Sequence, residues 1–512
     1  MNIKRAKEEI KDAIESYLLK DEFGDYMIPL ESQRPVLLIG PPGIGKTAVM
    51  KQISEEMGIG LVAYTITHHT RQSAIGLPFI EEKMYGGKKY SVTEYTMSEI
   101  IASVYEKIEE TGIKEGILFI DEINCASETL APAMLQFLQY KTFGSHRVPE
   151  GWIIAAAGNP PQYNKSVREF DVVTLDRVKK IEVDVDYAVW REYAVFMDIH
   201  NAVLSYLDIR KENFYSIKNT ADGKIFTTAR GWEDLSKIIY VYEKLNKKVD
   251  LGVVYQYLQD MKIAKDFAAY LELYYKYKEE YSIRDILNGN FKKEYIDRLR
   301  VAPFDEKIGV ISLLLGALNI SFKEADKADV FVTGLHGVLK EMKGIFEGNG
   351  AFPKDVISDM VSLREKKLRA KKAASIINKK DEHLELGIIN KLSSYAHEVE
   401  KAGIVNCGDG FEFIKKLFEN EVENRSEIID RTSEELENAF EFMEKAFGES
   451  QEMVIFVTEL NSGYYSIKFI NDNGSVKFYQ YNKNLLYKQQ QKAIINEIDE
   501  LNSLIHSRQK GE

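Results

Sequence analysis

Residues 34–47 read Arg-Pro-Val-Leu-Leu-Ile-Gly-Pro-Pro-Gly-Ile-Gly-Lys-Thr, and this stretch decides the fold. The run Val36-Leu37-Leu38-Ile39 has no polar alternation, as expected of a strand buried on both faces of a parallel sheet. The eight residues that follow, Gly40, Pro41, Pro42, Gly43, Ile44, Gly45, Lys46 and Thr47, satisfy the spacing G-x-x-x-x-G-K-[ST]. Glycines let such a loop wrap a phosphate with its backbone N–H groups, some at angles other residues avoid. A helix starting near Gly45 points its positive end at the same anion. Lys46 adds a cation that reaches the outer phosphates, and Thr47 offers a hydroxyl to Mg²⁺. A buried strand before the loop and a helix after it supply the context the motif needs.

The matching half lies about 75 residues on, at Ile117-Leu118-Phe119-Ile120-Asp121-Glu122. Four apolar residues form another buried strand, and two carboxylates emerge at its carboxyl end, where α/β sheets place their ligands. Asp121 is positioned to hold the Mg²⁺ shell and Glu122 to accept a proton from attacking water. Two further apolar runs, 60–66 and 152–157, alternate with helix-compatible stretches at 98–110 and 129–140. Strands alternating with helices imply βαβ crossovers and an α/β sheet.

At 512 residues the chain is too long for one core. Its 45% hydrophobic content is ordinary, and no apolar run in the sequence reads as long enough to cross a bilayer. Residues 1–5 lack the apolar stretch of a secretion signal. Cys125 and Cys407 are the two cysteines, too far apart for a metal knuckle or a disulfide framework, so a reducing cytoplasm is expected. A net charge of −12 disfavours a broad phosphate-binding surface, making nucleic acid an unlikely partner.

Outside the core the periods change. Residues 2–18 place Ile3, Ala6, Ile10, Ala13, Ile14 and Leu18 at helical spacing. Beyond 184 the pattern is helical at 187–209, 228–245 and 253–279, and again from 282 to 447. The basic stretch 362–372 reads as a solvated helix face. Residues 453–460, 464–470 and 475–481 look strand-like, with Asn473-Gly474 as a hairpin turn, and 485–504 returns to helix.

Taken together these residues resemble the AAA+ family, and within it the MoxR-like ATPases, over about residues 1–290. The resemblance implies that the nucleotide is ATP. Ala155-Ala156-Ala157-Gly158-Asn159-Pro160 is similar to the family's sensor 1, which gives Asn159 the water-positioning role. Leu175-Asp176-Arg177 resembles the segment whose arginine reaches a neighbouring subunit's site, with Arg168 as a rival for that role. Val178-Lys179-Lys180 departs from the phenylalanine usual after it. Thr227-Thr228-Ala229-Arg230-Gly231-Trp232 resembles the sensor 2 entry to a lid helix, with Ala229 replacing proline. Thr228 can cap that helix. Arg230 would then face the γ-phosphate while Trp232 packs inside the lid. Two insertions, 84–90 and 141–151, read as hairpins. Tyr85, Lys88 and Tyr90 are candidate substrate-gripping residues there, with plain hairpin structure equally open. His68 and His69 lack a carboxylate or cysteine at ligand spacing and read as loop residues.

The expected architecture is an α/β AAA+ P-loop core with a parallel sheet over 1–187 and a helical lid over 188–300. A helical domain over 301–447 and a β-meander plus helix over 448–512 would complete it. The expected function is Mg-dependent ATP hydrolysis by a ring, a hexamer, since a trans arginine requires a neighbour. Its output would be remodelling or activation of a protein client, with a von Willebrand factor A domain partner implied by the resemblance. A nucleic-acid motor or restriction-type nucleotidase on the same core, and a slowly hydrolysing scaffold, remain open.

Overall fold

The computed structural model describes residues 1–483 except 69, 144–145, 164–166, 168–169, 221–222, 349–351, 374–376 and 378. Arg168, His69 and the helix expected at 485–504 lie outside the described residues. The chain opens with α1 (Ile3–Leu18), then β1 (Val36–Ile39), α2 (Lys46–Met57), β2 (Gly60–Thr65) and the short α3 (Arg71–Ile75). A hairpin of β3 (Pro78–Tyr85) and β4 (Lys88–Tyr95) precedes α4 (Glu99–Thr111), β5 (Gly116–Asp121) and α5 (Ala131–Tyr140). The short pair β6 (Thr142–Phe143) and β7 (His146–Arg147) leads into β8 (Trp152–Gly158), α6 (Val172–Leu175) and β9 (Lys179–Glu182).

Five of these strands form one parallel sheet in the order β2-β5-β8-β1-β9. The continuous apolar runs follow from burial on both faces. Val36 and Leu38 pack with Ile10, Ile14, Met50 and Ile53 on one side, while Leu37 joins Ile100, Val104 and Phe137 on the other. Each such side chain contributes about 1.5–3 kcal/mol on burial. Strand β9 escaped the sequence reading because Lys179-Lys180-Ile181-Glu182 alternates like an edge strand, with only Ile181 fully buried.

The segment expected as the lid comprises α7 (Tyr187–Phe196), α8 (Asn201–Ile209), the hairpin β10 (Ser216–Thr220) and β11 (Gly223–Thr227), α9 (Ala229–Lys244), α10 (Leu251–Tyr257), α11 (Met261–Glu280), α12 (Ile283–Leu287) and α13 (Lys293–Val301). The helix expected over 187–209 is interrupted at Asp198, whose φ is +61°. Trp232 is fully buried against Tyr206 and Phe267, and its indole N–H donates to the carbonyls of Asn213 and Phe214.

The remainder is α14 (Phe304–Gly348), α15 (Pro353–Ala373), α16 (Lys379–Lys401), α17 (Cys407–Phe447), α18 (Gln451–Ser462) and α19 (Tyr464–Asn473). The β-meander expected over 448–512 is absent among the described residues, where 451–473 is helical. Met453, Phe456, Val457 and Leu460 fall at helical spacing and are buried on the lid-side core, and that burial overrides the two-residue alternation. Gly474 ends α19 as its C-cap (φ +80°), its N–H donating to Ile470 at 2.8 Å, rather than turning a hairpin.

One helix segment, Phe304–Phe346, is after all long and apolar enough to span a membrane, contrary to the reading of the sequence. It is the central core helix of this region. Val310, Leu314, Leu318 and Phe322 are at most 1% exposed, and Asp326 is ion-paired by Lys380 and Lys468. The same core cluster runs from Trp190 through Phe322 to Phe478, joining lid and C-terminal helices without a break.

Candidate nucleotide site

The sheet order explains how distant motifs meet. Strands β5, β8 and β1 are consecutive neighbours, so Asp121, Asn159 and the loop after Ile39 emerge side by side. Gly43 and Gly45 take φ of +75° and +92°, angles a side chain would strain, and α2 starts at Lys46.

Lys46 is 8% exposed, and its ammonium donates to the carbonyls of Gly40 and Pro41 and to Asn159 Oδ1, all at 2.8 Å. Burial pushes that ammonium down to about 8, reinforced by Arg230 and opposed by Asp121 and Glu122. Three neutral oxygens are a poor substitute for phosphate. A cation so placed gains most from an arriving anion.

Thr47 Oγ1 donates to Asp121 Oδ2 at 2.6 Å, bringing hydroxyl and carboxylate together at the loop's mouth. No group of three or more His, Cys, Asp or Glu able to hold a metal occurs among the described residues. Mg²⁺ characteristically takes one or two protein oxygens and completes its shell with phosphate and water. The Thr47–Asp121 pair fits that donor set.

Glu122 sits at φ +55°, a conformation non-glycine residues occupy at a cost of about 1–3 kcal/mol and that clusters at functional sites. Its carboxylate accepts from Thr67 Oγ1 at 3.2 Å. Asn159 is held by its neighbour Asn124. Asn124 Nδ2 donates to the Asn159 carbonyl at 2.8 Å, and the Asn159 N–H donates to Asn124 Oδ1 at 3.3 Å. Gly158 makes room for this clasp, since a Cβ there would lie 2.6 Å from Asn124 Oδ1.

The lid segment packs against the loop. Thr228 caps α9 by accepting from the Gly231 N–H, and it packs against Gly43. Tyr215 donates its hydroxyl to the Pro42 carbonyl at 2.9 Å. The result is a cavity of about 580 Å³ whose walls include Lys46, Thr47, Asp121, Glu122, Asn159 and Arg230. Its walls also include Ile3, Val185, Val189, Trp190, Tyr193 and Phe214, whose side chains offer a planar base an apolar slot among charged neighbours such as Lys4, Asp186 and Glu192.

Arg177 does not line this cavity. It is solvent-exposed and hydrogen-bonded to Gln139. The β3–β4 hairpin stands out from the core, with Ile80, Met84, Tyr85 and Tyr90 more than half exposed. Sequence reasoning missed the apolar slot, Asn124, Thr67 and Tyr215. Asn124 was within reach as a polar residue two places past Glu122. The others belong to no motif.

Residues 36–175 match the family described as ATPase family associated with various cellular activities (AAA). Over 191 residues the chain is 26% identical to a protein from Giardia intestinalis described as Midasin. That stretch makes up 35% of this chain and 4% of the Giardia protein, so the chain spans a small part of its relative. The likeness to AAA ATPases covers residues 36–175, the stretch that holds the phosphate loop, Asp121, Glu122 and Asn159.

Proposed function

We propose that the chain is a ring-forming, MoxR-like ATPase of the cytoplasm that uses Mg-dependent ATP hydrolysis to remodel or activate a protein client. One observation carries this reading. Residues from the phosphate loop, from two neighbouring strand ends and from the lid all line a single cavity. In this reading Lys46 leaves the Gly40 and Pro41 carbonyls for phosphate oxygens, and the loop N–H groups hold the remainder. Glu122 takes a proton from water as its oxygen bonds to the γ-phosphorus and the bond to the ADP oxygen breaks. Asn159 orients that water, and Arg230 contacts the γ-phosphate from the lid. Thr47 and Asp121 would hold Mg²⁺, which would supply neutralisation of the phosphate charge.

Arg177 is exposed and away from its own subunit's cavity, which suits a cation offered to a neighbour. That supports a ring, a hexamer by family resemblance. The hairpin bearing Tyr85, Lys88 and Tyr90 is the proposed client-gripping element, and a von Willebrand factor A domain protein is the proposed partner.

Glu122→Gln tests the reading. Turnover should fall about 10²–10⁴-fold while ATP stays bound, and the trapped ring should retain a protein client. Unchanged turnover would remove Glu122 from the mechanism. Recovery of nucleic acid alone would overturn the client assignment.

A further inference from the structure

Helix α7 is a partition between two cavities. Val189, Trp190, Glu192 and Tyr193 face the nucleotide cavity, with Trp190 packed on Phe214 at 4.6 Å between ring centroids. Arg191 and Val195 line a second cavity of about 450 Å³, enclosed by α8, α14 and α18 through residues such as Leu204, Ile311 and Ile455. A shift of α7 therefore changes both cavities at once.

What fixes α7 on the second side is charge. Arg191 grips Asp208 of α8 with two hydrogen bonds, Nε to Oδ1 at 2.6 Å and Nη2 to Oδ2 at 2.8 Å. Its Nη2 also donates to Glu459 of α18, a residue 268 positions away in sequence. Tyr187, one turn earlier on α7, donates to the same Asp208 at 2.7 Å. The Arg191 side chain is only 15% exposed, and Asp208 and Glu459 are 30% and 28% exposed. Two carboxylates thus share one guanidinium in a largely dehydrated space, where a planar fork holds position better than an ammonium can. Asp208 anchors α7 within the lid. Glu459 ties it to the C-terminal helices.

We propose that Glu459 is a positioning residue for the nucleotide pocket, so that the arrangement of the C-terminal helices sets nucleotide affinity through Arg191 and α7. The inference rests on the reading of the first cavity as the nucleotide site and names the regulation of that site. Glu459 touches no residue of the phosphate loop and none of the groups assigned to water activation. Its influence should appear in binding rather than in chemistry. By linkage, nucleotide binding must act back on α18 by the same factor.

The test uses the full chain, a fluorescent ATP analogue for the dissociation constant, ATP turnover for kcat and KM, and circular dichroism for folding. Glu459→Gln keeps the shape and an acceptor, and Asp208 still pairs Arg191, so the variant should fold. The dissociation constant and KM should shift together by about 5-fold or more, with kcat within about 2-fold. Glu459→Ala should shift further, and Glu459→Asp should restore part of the effect. In an Arg191→Lys background, which cannot fork both carboxylates, Glu459→Gln should add less than half its effect in the unaltered chain. Unchanged affinity in folded Glu459→Gln and Glu459→Ala overturns the proposal, as does an undiminished effect in the Arg191→Lys background. A loss of kcat with binding intact overturns it too. Failure of the unaltered protein to bind the analogue is a separate result, which sinks the nucleotide site itself.

Discussion

Replacing Gly158 with alanine probes how closely the end of β8 is built around Asn159. Gly158 lies in the extended strand, so the backbone tolerates a side chain there. The obstacle is space. A Cβ would sit 2.6, 2.8 and 3.0 Å from Oδ1, Cγ and Nδ2 of Asn124, a residue that is 6% exposed. Asn124 must swing aside, surrendering both of its hydrogen bonds to the Asn159 backbone. At about 1 kcal/mol each, the loss of stability should be about 2 kcal/mol. The larger effect should be on catalysis, because Asn159 also touches Lys46 and a displacement of about 1 Å can cost about 10²-fold in rate. Steady-state ATP turnover should show kcat down by that order. The second variant is decisive. Asn124→Ala removes the same two bonds without crowding, and adding Gly158→Ala to it should cause little further loss, since the obstructing amide is gone. If the two substitutions proved additive, or if Gly158→Ala alone kept full kcat, the clasp would not be what positions Asn159.

Nucleotide affinity should weaken as pH rises through about 8, because the buried Lys46 ammonium is lost there, and Lys46→Met should abolish the dependence. A dissociation constant that stays flat from pH 7 to 10 would contradict this. The sign for stability is the opposite. Because the folded value lies below the usual 10.5, the cost of charging Lys46 is full below about pH 8 and fades towards 10.5, so this group's share of the nucleotide-free stability rises across that window. Tyr215→Phe removes the lid's hydroxyl bond to Pro42 and should speed nucleotide release about 5-fold, equivalent to about 1 kcal/mol, in a stopped-flow chase. Gly474→Ala should cost about 1–3 kcal/mol in chemical denaturation. Nothing lies within 4 Å of the added carbon, so only its φ of +80° matters, and an unaltered midpoint would mean α19 does not end there as described.

The core of the site was legible because chemistry fixes it locally. A loop that wraps phosphate needs glycines at set positions, and an acidic strand end needs only a buried run before it. Gly40–Thr47 and Asp121 carry such local signatures, Asn159 was reached through the family resemblance, and sheet order brings the three side by side. The apolar slot had none. Ile3, Val185, Val189 and Phe214 are ordinary hydrophobic residues until the fold brings α1, the link between β9 and α7, α7 itself and the segment after α8 to one place. The error at 453–481 has the opposite cause. Alternation over three residues, as at Ile467-Lys468-Phe469, is compatible with either period. A buried stripe over two turns of α18, Met453, Phe456, Val457 and Leu460, decided for helix, and its helical spacing stood in the sequence beside the alternation.

The C-terminal helices gain their meaning from where they are attached. The helices after residue 303 form an arm whose base, the first half of α14 and the end of α17 with α18 and α19, shares one core cluster with the lid, so the lid cannot tilt without carrying that base with it. A straight helix of 45 residues spans roughly 68 Å, so a tilt of about 10° at its base moves the far end by about 12 Å. Yet the arm is not free at its far side, because α15 folds back to touch α4 of the ATPase core. Held by Arg191 and Glu459 on the lid and by α15 on the core, the arm bridges the two bodies whose relative angle the nucleotide cavity defines. Any rotation of lid against core must therefore either shear α15 across α4 or bend the α14–α17 pair. Both place the mechanical load on the C-terminal helices and away from the sheet.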